Sequence, residues 1–245
     1  MKVLVFAHGD VGLNIVEYLQ ESFPTDILSI VTLEYCAIQD YCRHKKIPAI
    51  LYTTEQDLID KMEERPSLGF LVWWPKIIRR QLIDYPFYGF INTHPSYLPY
   101  NRGKHYSFWA LVERAPFGVS LHKVDESIDA GALVSQRRIE YDWTDTGESL
   151  YTKAKSEMRR LFAESYPILR TGQFTEVQQD LAAGSFHFGH EIDVKSRIDL
   201  KRSYTGEEML NLLRARTFTG RPACWFESDG VKYEAAIRIT RVDNE

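Results

Sequence analysis

Cysteine is scarce in this chain of 245 residues, which has only Cys36, Cys42 and Cys224. Three thiols cannot all pair within one molecule, and no Cys-x-x-Cys occurs. A disulfide framework and a structural zinc site are disfavoured, and a reducing cytoplasm is the natural home. Basic charge is not in excess either. Lysine plus arginine number 30 against 34 aspartates plus glutamates, a formal net charge of -4. Proteins that wrap a polyanion usually carry a basic surplus, so bulk nucleic-acid binding is disfavoured. No apolar run reaches the ~18 residues of a membrane span, so no membrane partner is expected. The apolar opening Met1–Ala7 is too short for a signal peptide and leads straight into a turn, so it reads as a first strand. Internal repeats and low-complexity segments are also missing. What remains, 44% hydrophobic and 26% charged residues, is the composition of a soluble globular protein. Its length suits one large domain, or a core domain with a small appendage.

The pattern along the chain alternates. Residues 2–7 are apolar and β-prone. His8-Gly9-Asp10-Val11-Gly12 follows, and then Leu13, Val16 and Leu19 recur at helical spacing. Strand, tight turn and helix open an α/β unit. The unit repeats: strands are expected at 27–33, 47–51, 67–74 and 87–94, with helices at 35–44 and 54–65. A helix over 107–113, strands over 118–124 and 132–141 and a long helix over 145–169 come next. This spacing predicts an α/β, Rossmann-like fold, a mostly parallel sheet with helices on both faces. Residues 170–205 read as a connector and 206–216 as a short helix. Residues 223–239 read as a hairpin turning at Ser228-Asp229-Gly230. The domain expectation is a core over 1–170 and a small extension with a β-hairpin over 171–245.

Two stretches carry candidate chemistry. In Ile91-Asn92-Thr93-His94-Pro95-Ser96-Tyr97-Leu98-Pro99, Asn92 and His94 stand two apart at a strand end. Side chains at i and i+2 share a face, so both can point at one substrate atom. Pro95 ends the pairing. Ligands of open α/β sheets bind beyond the carboxyl ends of strands. The same two residues can equally serve to satisfy backbone groups at a strand end. In Asp125-Glu126-Ser127-Ile128-Asp129-Ala130-Gly131, three acids and a glycine lie between two strands. Asp129 can orient His94 or take a proton, or the segment can be a solvated turn.

Together and in this order, the two stretches resemble the folate-dependent formyltransferase family. There an Asn-x-His-Pro-Ser-x-Leu-Pro segment ends one strand, and an Ile-Asp-x-Gly turn follows some tens of residues later. The resemblance covers roughly residues 1–170 and implies that Asn92, His94 and Asp129 are catalytic. It implies 10-formyltetrahydrofolate as formyl donor and no metal. The residue types suit that reaction. An amide and an imidazolium are fitting donors to the oxyanion that develops on a formyl oxygen. An aspartate can set the charge of the histidine and relay a proton from the attacking amine. Ser96 then reads as a turn residue.

Within that family the resemblance is strongest to the nucleotide-sugar N-formyltransferases, which formylate acceptors such as dTDP-4-amino-4,6-dideoxyglucose for surface polysaccharide, including lipopolysaccharide O-antigen. The segment Leu98–Leu111 carries it. Arg102 and Lys104 can meet a diphosphate. Tyr100, His105 and Tyr106 can contact a sugar or stack a base, and Gly103 lies among them. Phe108, Trp109 and Leu111 read as the buried side of a helix. Methionyl-tRNA formyltransferases carry a longer C-terminal barrel and basic surfaces. Glycinamide ribonucleotide formyltransferases carry a glycine-rich phosphate loop, where this chain has His8–Gly12.

By the same resemblance, Trp73, Trp74, Pro75 and Ile77 border the pterin pocket, and the loop with Ser127, Ile128 and Gly131 closes it. Trp73, Trp74 and Ile77 can equally pack in the core. The extension can shape the sugar-nucleotide site or form a homodimer interface. His187 and His190, three apart, lack a clear third metal ligand. Three alternatives stand beside the sugar reading: another amine acceptor (a purine precursor or aminoacyl-tRNA), a formyltetrahydrofolate hydrolase, and a non-catalytic binding module.

Overall fold

The computed structural model describes residues 1–242. The elements run β1 (Val3–Ala7), α1 (Gly9–Ser22), β2 (Ile27–Thr32), α2 (Ala37–Lys45), β3 (Ala49–Leu51), α3 (Glu55–Asp60), β4 (Leu68–Val72), α4 (Arg80–Ile83), β5 (Phe90–His94), β6 (Arg102–Gly103), α5 (Tyr106–Glu113), β7 (Gly118–Lys123) and β8 (Leu133–Arg138). The long α6 (Gly147–Leu169), β9 (Phe186–His187), α7 (Glu191–Lys195), α8 (Gly206–Arg216), β10 (Cys224–Ser228) and β11 (Val231–Ala235) complete the chain. A turn of 3-10 helix, Leu181–Ala183, precedes β9.

Seven strands form one sheet in the order β3-β2-β1-β4-β5-β7-β8. The pairs β2–β3, β1–β2, β1–β4 and β4–β5 are parallel, and β5–β7 is antiparallel. This is the mostly parallel Rossmann-like sheet that the alternating pattern predicts. β1 and β4 are fully buried along their length, as strands covered on both faces must be. The order reverses direction between β1 and β4, so the chain exits after Ala7 and Val72 flank the switch point where such sheets bind ligands. The helix expected over 54–65 is shorter. Thr54 caps its start by accepting from the Asp57 amide, and it stops at Asp60. Pro66 bars helical conformation at the residue before it.

The chain divides into two compact units. The first comprises residues 1–94, 120–136 and 158–179. Its core includes Phe70, Phe162 and Tyr166, packed ring on ring, and Phe6 against Phe90, Trp74 and Tyr52. Buried Asp26 accepts from the Tyr166 hydroxyl at 3.0 Å and from Arg170 at 2.6 and 2.9 Å. Burial pushes this carboxyl up, but the bonds from Arg170 and Tyr166 outweigh it and hold it below the ordinary range.

The second unit comprises, among the described residues, 95–119, 137–157 and 180–242. There α5 packs on α8, which opens with a capping box between Thr205 and Glu208. The buried Arg214 guanidinium donates to the carbonyls of Asp142 and Asp145. β10 and β11 form the expected antiparallel hairpin, with Phe226 stacked on Tyr233. Among the described residues, no helix is long and apolar enough to cross a membrane.

Candidate active site

The register of one strand pair builds the site. Asn92 on β5 stands directly opposite His122 on β7, so their side chains share a face. His94, two residues on, lies on that face at the carboxyl end of β5. The loop between β7 and β8 brings Asp129 to them. Its Oδ1 lies 3.3 Å from Asn92 Nδ2, 3.4 Å from His94 Nδ1 and 3.5 Å from His122 Nε2. Three nitrogens thus converge on one carboxylate oxygen, and the carboxylate is nearly buried. The three residues named from the sequence are brought together, all within the first unit.

His122 went unnoticed in the sequence, although β7 advertises it. Ser120 and His122 alternate there with Val119 and Leu121, a period of two that marks a polar face. Its Nδ1 lies 2.7 Å from the Lys123 carbonyl, which requires a hydrogen on Nδ1. The neutral ring therefore offers Nε2 as an acceptor, and Asn92 Nδ2 lies 3.2 Å away. Asn92 thus presents one amide hydrogen to His122 and the other to Asp129. Protonation of His122 turns Nε2 into a donor toward Asp129 and releases an Asn92 hydrogen for another acceptor.

The loop that carries Asp129 is tightly specified. The Ser127 amide donates to Asp125 Oδ1 at 2.8 Å. Asp129 sits in the left-handed region at φ 53, uncommon for a residue with a side chain. A Cβ on Gly131 would stand 2.0 Å from the Lys123 carbonyl oxygen, so the motif's glycine is needed for backbone approach. Ile128 is 44% exposed. The guanidinium of Arg80, at the start of α4, reaches Glu126 at 3.5 Å.

The segment leaving β4 begins with Trp73, also left-handed at φ 53, whose amide donates to Thr93 Oγ1 at 3.1 Å. Thr93 in turn donates to the Leu71 carbonyl, which ties the exit of β4 to β5. Trp74 packs on Phe6 and Tyr52 in the core. Pro75 and Ile77 are exposed, Ile77 to 76%. The resemblance thus names residues on two loops of the first unit, one leaving β4 and the other following β7.

The residues from Tyr100 to Tyr106 belong to the second unit. Arg102 and Gly103 pair with Phe186 and His187 as β6 and β9. Gly103 is left-handed at φ 87, and a Cβ there would stand 2.3 Å from the His187 carbonyl oxygen. The Arg102 guanidinium lies over the Phe186 ring at 5.9 Å. Its Nε is buried without a hydrogen-bond partner among the described residues. Lys104 is exposed and Tyr100 half-buried. His105 is left-handed and donates from Nε2 to the Gly189 carbonyl at 3.1 Å. Burial holds its imidazole below the ordinary range. Tyr106 stacks on Tyr151. His187 stacks flat on Trp109 at 3.9 Å, between Glu113 and Glu191.

The mostly parallel sheet thus carries an acid–base cluster at the carboxyl end of β5, where sheets of the α/β class bind their ligands. The chain belongs to the formyl transferase family, which it matches over residues 37–165; residues 191–241 match the N-formyltransferase dimerization C-terminal domain. It is similar to the dTDP-4-amino-4,6-dideoxyglucose formyltransferases of Mycobacterium bovis and Mycobacterium tuberculosis, at 28% identity over 136 residues. That alignment spans 56% of this chain and 58% of those relatives. Among solved structures, the fold resembles a 4-N formyltransferase from Francisella tularensis, with TM-score 0.80, 21% identity and 98% of each chain covered. It also resembles an N-formyltransferase from Helicobacter canadensis in complex with folinic acid and dTDP-3-aminofucose. There the TM-score is 0.73 and the identity 18%, over 97% of this chain and 96% of that one.

Proposed function

We propose that this protein is an N-formyltransferase that moves a formyl group from 10-formyltetrahydrofolate to the amine of a nucleotide-linked amino deoxysugar, such as dTDP-4-amino-4,6-dideoxyglucose. The observation that carries this reading is the convergence of Asn92, His94 and His122 on one oxygen of Asp129. The mycobacterial relatives, named for that sugar nucleotide, support the acceptor class.

The donor set fits a folate carrier. Trp73 and Ile77 leave β4 beside the switch point, and Ile128 offers apolar surface from the loop after β7. Trp73, Trp74, Pro75, Ile77, Ser127, Ile128 and Gly131 are the candidate folate contacts, and the folate supplies an activated formyl group on nitrogen. His94 and Asn92 then donate to the formyl oxygen as negative charge grows on it. Asp129 pairs with His94 and accepts the proton that the attacking amine sheds as its bond to the formyl carbon forms; that proton then passes to the folate nitrogen as its bond to the formyl carbon breaks, so tetrahydrofolate leaves. His122 Nε2 accepts from Asn92 and holds its amide in register, and the Asn92 hydrogen that faces Asp129 turns to the formyl oxygen as Asp129 takes up the amine's proton. No metal is needed for these steps. Arg102 and Lys104 are the candidate diphosphate contacts, with Tyr100, Gly103, His105 and Tyr106 around the sugar or base.

Residues 1–170 act as the catalytic domain in this reading, and 171–245 as an extension through which two copies pair. The dimerization-domain match supports the pairing. The setting is cytoplasmic synthesis of formylated sugars for surface polysaccharide. The test is an acceptor screen. The protein is mixed with 10-formyltetrahydrofolate and dTDP-, UDP- and GDP-linked amino sugars, and products are weighed by mass spectrometry. One added formyl group on a sugar nucleotide supports the proposal. Formate release without any formylated sugar points instead to a hydrolase.

A further inference from the structure

The segment after the long helix touches the Asp129 loop and the start of the strand that follows it. Leu133 and Val177 form an antiparallel bridge with both amides donated, at 2.7 and 2.9 Å. Beyond it, the single side-chain amide of Gln179 donates to two carbonyls, Asp129 O at 3.0 Å and Gly131 O at 2.6 Å. The two carbonyls bracket Ala130. Facing two acceptors, the amide must present its NH2 side, so its orientation is fixed by the network.

This clamp falls where the backbone needs it. Asp129 holds a left-handed φ of 53, and a side-chain-bearing residue keeps such a conformation only when its surroundings over-determine it. Gly131, beside it in the turn, has no room for a Cβ against the Lys123 carbonyl. A change in the peptides at 129 and 131 would swing the Asp129 carboxylate away from the three nitrogens at 3.3–3.5 Å.

We propose that Gln179 is a positioning residue for Asp129: its amide locks the 129–131 turn so that the carboxylate faces Asn92, His94 and His122. This rests on the reading of Asp129 as part of a formyl-transfer site. The two hydrogen bonds from the Gln179 side chain go to the backbone of the loop.

The test is a double-mutant cycle on the full chain. Gln179→Met keeps the length of the side chain and removes both donors. We expect kcat for formyl transfer to fall about 10- to 100-fold, with KM for donor and acceptor within about twofold. In an Asp129→Asn background the same change should cost less than about twofold, because its effect passes through the carboxylate. An equal loss in both backgrounds, or none in the wild type, overturns the proposal. If Gln179→Met does not fold, Gln179→Leu, which also removes both donors and adds no charge, carries the same cycle.

A second readout needs no activity. The His94 ring is titrated by NMR in wild type, Asp129→Asn and Gln179→Met. Asp129 and His122 are among the titratable groups that face it. Gln179→Met should move the His94 titration in the same direction as Asp129→Asn. An unmoved titration overturns the clamp, even if no acceptor is ever found. An absence of formyl transfer by the wild type, with the titration moved as expected, overturns the functional reading and leaves the clamp standing.

Discussion

Residues 90–94 and residues 100–106 lie a few positions apart in the chain, yet they obey different rules. In the first stretch, sheet register decides everything. Asn92 must face whatever stands opposite it on β7, and His94 must share that face. In the second stretch, no ladder of the large sheet fixes the side chains. Their placement comes from partners far along the chain: β9 beside Arg102 and Gly103, the Gly189 carbonyl on His105, Tyr151 under Tyr106. The lesson is that the placement of Asn92, His94 and His122 is periodic, whereas that of residues 100–106 is set by distant sequence.

Substitutions can break this comparison, and the largest effects belong to the first stretch. His94→Ala or Asn92→Ala should lower formyl transfer by about 10²- to 10³-fold, the scale of a lost oxyanion donor. The check is kcat on the acceptor found by the screen, with folding verified by circular dichroism. His122→Phe should cost about tenfold in kcat, roughly one neutral hydrogen bond, because it removes the acceptor that orients Asn92. A His122→Phe loss as large as that of His94→Ala would make His122 a direct participant.

The loop should answer differently. Arg102→Ala is expected to raise KM for the nucleotide-sugar about tenfold or more, as loss of a charge-assisted bond does, and to leave kcat nearly unchanged. A drop in kcat with unchanged KM would erase the distinction between the two stretches.

The smallest effect lies away from both. Asp26→Asn should leave kcat alone and lower stability by about 1–3 kcal/mol, since the buried Tyr166 hydroxyl and Arg170 lose a charged acceptor. Urea titration measures it. The Asp26 carboxyl sits below its ordinary value in the fold, so its contribution is complete above about pH 5 and disappears as pH falls through the lowered value. The gap between wild type and Asp26→Asn should therefore close in acid.

How much of this was legible in the sequence follows the same division. The alternation of apolar runs and helical spacing sufficed for the parallel sheet, because buried strands read as continuous apolar stretches. Asn92, His94 and Asp129 were named through the family resemblance that the two stretches carry together, since each stretch alone reads equally as a strand end or a solvated turn. His122 was readable in principle from the polar alternation of β7. Gln179 had no signal at all, since its role is two backbone contacts made across some fifty residues of chain. The connector over 170–205 likewise hid β9 and α7, which are too short to show a period. Gly103 and Gly131 stood out as glycines, but the carbonyls that exclude a Cβ lie elsewhere, on His187 of β9 for Gly103 and on Lys123 at the end of β7 for Gly131.

The measurement that bears most directly on the Asp129 cluster is single-turnover formyl transfer by wild type and His94→Ala, with 10-formyltetrahydrofolate and dTDP-4-amino-4,6-dideoxyglucose. The expected result is a formylated sugar nucleotide from the wild type, slowed at least about 10²-fold by the substitution. Equal rates for the two proteins would contradict the assignment of chemistry to that cluster.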